Sequence, residues 1–275
     1  MTLDAFLQAA ILGIVEGFTE FLPISSTGHL IVVASLLDFS GNNGMTFFIA
    51  IQLGAILAVC WEYRKRLVDI MMTFLVNGDS RRLVFNLLIA TLPAGVIGLL
   101  IKDFLERHLY SAIPVACALI VGAFVIFWAE RRYRNRPQQI RIHSLNDIGW
   151  QDALKVGLAQ CLAMIPGTSR SGATIIGAMF FGFSRVAATE FSFFLAIPVM
   201  FAATAYSIYD VSVPLNRAEW LALGVGFITS FIFAFLCVRW LLRYISRHDF
   251  TLFAWYRLGF GLFILVTSEY GWIRW

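Results

Sequence analysis

Five side chains could do chemistry in a sequence whose other residues nearby are almost all apolar: Glu16, Glu20, Ser26, His29 and Arg170. Glu16 and Glu20 are four residues apart, which on a helix puts both carboxylates on one face. Two unpaired carboxylates in apolar surroundings repel and are poorly solvated, so they need a divalent cation, the Arg170 guanidinium or a shared proton. Ser26 and His29 are three residues apart on the next apolar run, so hydroxyl and imidazole can face the same space. A serine needs a base to become a nucleophile, and His29 or Glu20 is the candidate. Arg170 offers a planar fork of donors that fits phosphate oxygens.

These groups belong to two related stretches. Residues 16–29 read EGFTEFLPISSTGH and residues 160–174 read QCLAMIPGTSRSGAT. One constant shift lays Gly13 on Gly157, Glu16 on Gln160, Ser25 on Ser169, Thr27 on Ser171, Gly28 on Gly172 and Ile31 on Ile175, while Pro23 and Pro166 miss the register by one residue. Gln160 and Met164 replace the two glutamates in the second copy, so acid chemistry is expected in the first alone. Each copy is an apolar helical run broken at proline, then a Ser/Thr/Gly turn that starts another apolar helix. The first run covers 3–22 and is expected to stop at Pro23, because proline removes a donor and biases Leu22 away from helical backbone. Ser25, Ser26 or Thr27 can cap the next helix, which runs to about Leu37. Both pieces are shorter than the roughly 20 residues that span a bilayer, or carry charge in mid-run. A re-entrant hairpin, covered by protein, is the expected structure for each copy, the second at about 151–183. Two helix ends meeting in the membrane point free N–H groups at the space between them and form an anion cradle. Its expected contacts are Ser25, Thr27, Gly167, Thr168, Ser169, Ser171, Gly172 and Thr174.

A composition of 59% hydrophobic and 14% charged residues, with a mean hydropathy of +0.77, excludes a soluble domain of this length. The net charge of +4 does not imply nucleic acid, because the basic residues fall in short loops between apolar runs. Cys60, Cys117, Cys161 and Cys237 lie in apolar segments without pair or metal spacing and are expected to be small core hydrophobes. No removed signal peptide is expected, since Asp4 replaces a basic start and no small-residue cleavage site precedes Glu16. No Walker loop, dinucleotide fingerprint, HExxH or cysteine cluster is present, so ATP-driven and structural-zinc mechanisms are unsupported.

Beyond the loop DFSGNNG, spans are expected at roughly 45–62, 83–101 and 112–130, and after the linker RNRPQQIRIHSLND at 187–209, 218–241 and 251–270. FFIAI at Phe47 echoes FFLAI at Phe193. The expected fold is therefore an all-α integral membrane protein, a single membrane domain with six spans and two re-entrant hairpins. Three crossings per half make the halves, 1–135 and 146–275, an inverted-topology repeat. Arg64, Lys65, Arg66, Arg81, Arg82, then Arg131, Arg132, Arg134, Arg136, Arg141, then Arg239, Arg243 and Arg247 crowd one face, against Lys102, Arg107, Arg217 and Arg274 on the other. The crowded face is cytoplasmic by the positive-inside rule, which puts both termini outside. Arg185, Glu190 and Arg257 are expected to be interfacial or ion-paired groups at span ends.

The segments EGFTEFLPISSTGH and PGTSRSGAT, with EFSFFLAIP at Glu190 to Pro198, resemble the signature segments of the bacterial undecaprenyl-diphosphatases, also called bacitracin-resistance proteins. The resemblance covers essentially the whole chain. It implies hydrolysis of undecaprenyl diphosphate to undecaprenyl phosphate and phosphate, recycling a lipid carrier for cell-wall synthesis. It further implies a site opening to the outer face of the bacterial cytoplasmic membrane and dependence on a divalent cation, Mg²⁺ or Ca²⁺, held by Glu16 and Glu20. Carried onto this sequence, Glu16 and Glu20 match the family's acidic motif, Ser26 and His29 its catalytic turn, and Ser169, Arg170 and Thr174 its phosphate-binding turn. Expected partners are the polyprenyl diphosphate and membrane lipids, with no nucleic acid; a homodimer is compatible with the sequence. Whether Ser26, His29 or water is the nucleophile stays open. The alternative function is a lipid-carrier flippase or secondary transporter on the same repeat. An acid-phosphatase-like membrane enzyme is disfavoured, since Ser-Thr-Gly-His has one residue more than its Ser-Gly-His turn.

Overall fold

The computed structural model describes residues 3–39, 44–210 and 217–273. Eleven α-helices cover most of them: α1 (Leu3–Thr19), α2 (Ser26–Leu36), α3 (Gly44–Glu62), α4 (Arg64–Thr73), α5 (Gly78–Leu109), α6 (Ala112–Asn135), α7 (Trp150–Gln160), α8 (Arg170–Phe180), α9 (Arg185–Asp210), α10 (Arg217–Ile245) and α11 (Thr251–Glu269). The sole β feature among the described residues is an isolated bridge between Ile142 and Phe183. Helices α5, α6, α9, α10 and α11 are each long and apolar enough to cross a membrane, and α3 with α4 adds a sixth span if that pair, bent by 73°, counts as one. The chain is an all-α integral membrane protein, as its composition requires. Two details differ from expectation: the basic helix α4 was not anticipated, and α5 begins at Gly78, where Asn77 accepts a hydrogen bond from the Asp79 N–H. Most of the DFSGNNG loop and Arg274 lie outside the described residues.

The two broken stretches form matching turns. Helix α1 ends at Thr19, earlier than the expected Leu22, because Pro23 forces Leu22 out of helical backbone and the preceding turn unwinds with it. Glu16 therefore sits on the last helical turn and Glu20 just beyond it, still joined by a Glu20 N–H bond to the Glu16 carbonyl at 2.9 Å. Helix α2 then starts at Ser26 with Ser25 as its cap, and α8 starts at Arg170 with Ser169 as its cap, after a single 3₁₀ turn at Cys161–Met164. Ser25 and Ser169 have φ of 71° and 74°, a region that side-chain-bearing residues rarely occupy. Their hydroxyls accept from the N–H groups of Gly28 and Gly172, at 3.5 and 3.1 Å, satisfying donors that a helix start otherwise leaves free.

Small residues bring the hairpins against long helices. Helix α1 packs on α10, where a Cβ added at Gly13 would lie 2.3 Å from the Gly226 carbonyl oxygen. Helix α7 packs on α5, where a Cβ at Gly157 would lie 2.4 Å from the Ala90 oxygen. Helix α3 also packs on α10, and α6 on α11. The linker is bound to the second hairpin rather than free: Ile142, Leu145 and Ile148 are buried, Ser184 N–H donates to the Ile142 carbonyl at 2.8 Å, and Arg141 forms an ion pair with Asp152. Backbone N–H groups of His143 and Ser144 hold the Asp147 carboxyl below the usual carboxylate range. Arg185 pairs with the fully buried Glu130, as expected of an ion-paired group, and Glu130 also accepts from the Phe250 N–H at 2.9 Å.

Candidate active site

The first turn presents a serine already hydrogen-bonded to a carboxylate. Ser26, first residue of α2, donates its hydroxyl to Glu20 Oε2 at 2.6 Å, with both side chains buried. Glu20 Oε1 accepts from Arg170 Nη2 at 3.1 Å, so residues from both turns form one chain: hydroxyl, carboxylate, guanidinium. Arg170 is fixed by further bonds from Nη1 to the Ser192 carbonyl at 3.3 Å and by the Phe21 ring 5.8 Å beneath its guanidinium. Its Nε–H is buried without a hydrogen-bond partner among the described residues. Glu16 is fully buried too, and neither of its carboxylate oxygens has a partner among the described residues. One orphan donor and two orphan acceptors thus accompany Glu20, where a buried polar group left unpaired costs about 1–3 kcal/mol.

A cavity of about 200 Å³ opens between the turns, lined by Glu20, Ser25, Ser26, Thr27, Ser169 and Arg170, with Gly167 also in its wall. The second turn's remaining candidates have internal partners. Ser171 donates to the Leu22 carbonyl at 2.7 Å, tying the second turn to the first, and Thr174 bonds the Arg170 carbonyl at 2.9 Å and the Ser192 hydroxyl at 2.6 Å. Thr168 and Gly172 border an apolar space beyond the turn.

His29 does not face Ser26. Its Nδ1 meets the Ser25 carbonyl at 2.7 Å and therefore carries the proton, which leaves Nε2 to accept from the Tyr256 hydroxyl at 2.6 Å. The ring stacks on Phe260, centroids 4.0 Å apart. The three-residue offset lets α2 turn this side chain toward α11, so Glu20 rather than His29 is the group placed to take the Ser26 proton.

Arg257 corrects an expectation outright. It is 1% exposed, not interfacial, and its five N–H donors meet five backbone carbonyls: Leu119 at 3.2 Å, Ala118 at 3.0 Å, Gly167 at 3.0 Å, Thr168 at 2.9 Å and Pro23 at 3.0 Å. One side chain on α11 thereby clasps both turns to α6. Gly122 makes the room, since a Cβ there would lie 2.1 Å from Arg257 Nη2. The signal present in the sequence is a cation inside the apolar run FAWYRLGFG, beside Tyr256, whose type alone gives no sign of its bond to His29.

The donor set fits a divalent cation in part. Glu16 and Glu20 supply hard oxygens, and Glu16 has both of its own unused, yet Mg²⁺ or Ca²⁺ takes six or more oxygens. Among the described residues no three His, Cys, Asp or Glu side chains cluster as a metal site. Phosphate oxygens and water would have to complete the shell.

Fold and site together define a membrane-embedded protein with a serine–carboxylate–arginine centre suited to phosphate chemistry. The family described as "Bacitracin resistance protein BacA" matches residues 9–263, and the chain belongs to it. Its relatives include proteins named "Undecaprenyl-diphosphatase" from Nitrosospira multiformis, 56% identical over 98% of this chain and 97% of the relative, and from Pseudomonas syringae pv. tomato, 53% identical over 100% of this chain and 98% of the relative. "Undecaprenyl-diphosphatase 2" of Rhodospirillum rubrum is 56% identical over 100% of this chain and 99% of its own length.

Proposed function

We propose that this chain hydrolyses undecaprenyl diphosphate to undecaprenyl phosphate and inorganic phosphate, returning the lipid carrier to cell-wall synthesis and thereby conferring bacitracin resistance. The observation that carries the mechanism is the hydrogen-bonded chain from Ser26 through Glu20 to Arg170, assembled from both turns. Ser26 Oγ attacks the terminal phosphorus while its proton passes to Glu20 Oε2. The bond from that phosphorus to the bridging oxygen breaks, and undecaprenyl phosphate leaves with the proton from Glu20, which returns that carboxylate to its basic form. Arg170 and the N–H groups at the starts of α2 and α8 stabilise the charge that develops on the phosphoryl oxygens. Water then cleaves the phosphoserine, with Glu20 as base, releasing phosphate and restoring the serine. A divalent cation held by Glu16 and Glu20 would neutralise charge on the diphosphate when bound.

The same reading places the protein in the bacterial cytoplasmic membrane with both termini and the site mouth on the outer side, and relates its halves as an inverted repeat. The loop charge asymmetry supports the first statement. The matched caps at Ser25 and Ser169 support the second. The decisive experiment is phosphate release from undecaprenyl diphosphate by purified protein in detergent, beside Ser26→Ala, with and without a chelator. Release by the wild type, lost in the variant and under chelation, is expected; a folded wild type that releases none overturns the reading in favour of a transporter.

A further inference from the structure

A second cavity, of about 680 Å³ and walled almost wholly by apolar groups, lies along α6 on the far side of the second turn from the catalytic serine. It adjoins another of about 310 Å³ at the end carrying the basic linker, and the two share Lys155, Phe180 and Phe181. One face of α6 lines both: Pro114, Ala118, Gly122, Val125, Ala129 and Arg132 recur at three- and four-residue spacing. From Pro114 to Arg132 the helix rises about 27 Å.

The charge available to a ligand lies at one end of this groove, since the Arg257 that also borders it has all five donors taken by backbone carbonyls. Arg132 donates to the neutral Gln139 side chain at 3.1 Å, and Arg136 and Lys155 are exposed beside it, whereas Arg141 is already neutralised by Asp152. The basic end has no serine, threonine, aspartate or glutamate in its lining, so it offers cations to a phosphate without the hydroxyl–carboxylate pair found between the turns. Loop charge that serves topology alone needs no such direction: Arg131 and Arg134, on the same helical turns, line neither cavity.

We propose that this groove is a second lipid site, which holds the phosphate of a polyprenyl phosphate at Arg132, Arg136 and Lys155 and lays its chain along α6 toward Pro114. Length selects the occupant. The hydrocarbon core is about 30 Å thick, so an acyl chain confined to one leaflet fills about half of a 27 Å groove, whereas a long polyprenyl chain can follow all of it. The identity of the chain rests on the diphosphatase reading; the charge and the groove do not.

The test measures retention of undecaprenyl monophosphate by native mass spectrometry of the detergent-purified full chain, in an Arg170→Ala background that removes phosphate binding between the turns. Undecaprenyl phosphate should be retained at least about tenfold better than phosphatidylglycerol or farnesyl phosphate. Arg132→Gln with Lys155→Gln should weaken it about thirtyfold, the effect of two basic contacts to an anionic lipid. Val125→Trp, which fills the groove, should weaken undecaprenyl phosphate and leave farnesyl phosphate unchanged. Equal retention of phosphatidylglycerol, or retention indifferent to these substitutions, overturns the site. With Arg170 restored, the double variant should release phosphate at the wild-type rate, which shows its fold intact. Absence of release from the wild type itself would instead remove the diphosphatase reading and leave the retention result to be judged alone.

Discussion

The two turns share a backbone and divide the chemistry. Ser25 and Ser169 adopt nearly the same φ and cap the next helix in the same way, yet the first residue of α2 is Ser26 and the first residue of α8 is Arg170. At equivalent positions one turn offers a hydroxyl bonded to a carboxylate and the other a fixed cation. The same division appears one helix earlier, where Glu16 and Gln160 are both buried with side-chain polar atoms that lack partners among the described residues. A carboxylate there demands a proton or a cation; an amide demands neither. The two turns thus share the local geometry that aims N–H groups into a common space and differ at the side chains that line it.

That division can be broken from either side. Ser26→Ala or Glu20→Gln should lower kcat by about a thousandfold or more, since the nucleophile and its base act as a unit. Arg170→Ala should cost about a hundred- to a thousandfold, as loss of one preorganised donor to a developing oxyanion does; near-normal turnover would remove its phosphate role. Glu16→Gln makes the first turn resemble the second and should flatten the cation titration of activity, and an unchanged titration curve would mean that a metal is held elsewhere. His29→Ala should cost less than about a hundredfold, the lower end of what losing a general base costs, and a larger loss would restore His29 to that role. The smallest effects should be structural: Gly13→Ala and Gly157→Ala should each destabilise by about 1–3 kcal/mol in detergent melts, through clashes with the Gly226 backbone on α10 and the Ala90 backbone on α5.

The all-α membrane fold and the two breaks at Pro23 and Pro166 were legible because proline, glycine and hydroxyl residues interrupt apolar runs in only a few places, and the pairing of Arg170 with the first turn was one of three ways the sequence offered to neutralise its carboxylates. Arg170 had to find a carboxylate, and Glu20 was one of two on offer. Three features were not legible. The end of α1 at Thr19 depends on how far Pro23 unwinds the chain before it, which no propensity specifies. The direction of His29 depends on Phe260 and Tyr256, whose proximity arises from the packing of α2 against α11. Arg257 was misplaced although its span begins at Thr251 as expected, because a long cation six residues inside a span can equally reach back to the interface, and only its partners decide. Its partners are backbone carbonyls, which leave no trace in residue type.

The clasp made by Arg257 also orders the protein's biosynthesis. The carbonyls of Pro23, Gly167 and Thr168 are in place once the two turns have been synthesised, but their donor arrives with α11, the last helix of the described chain. Until then these oxygens lack that partner within the membrane, where an unpaired carbonyl costs several kcal/mol. The clasp between the two turns and α6 can therefore close only after α11 has been made and inserted.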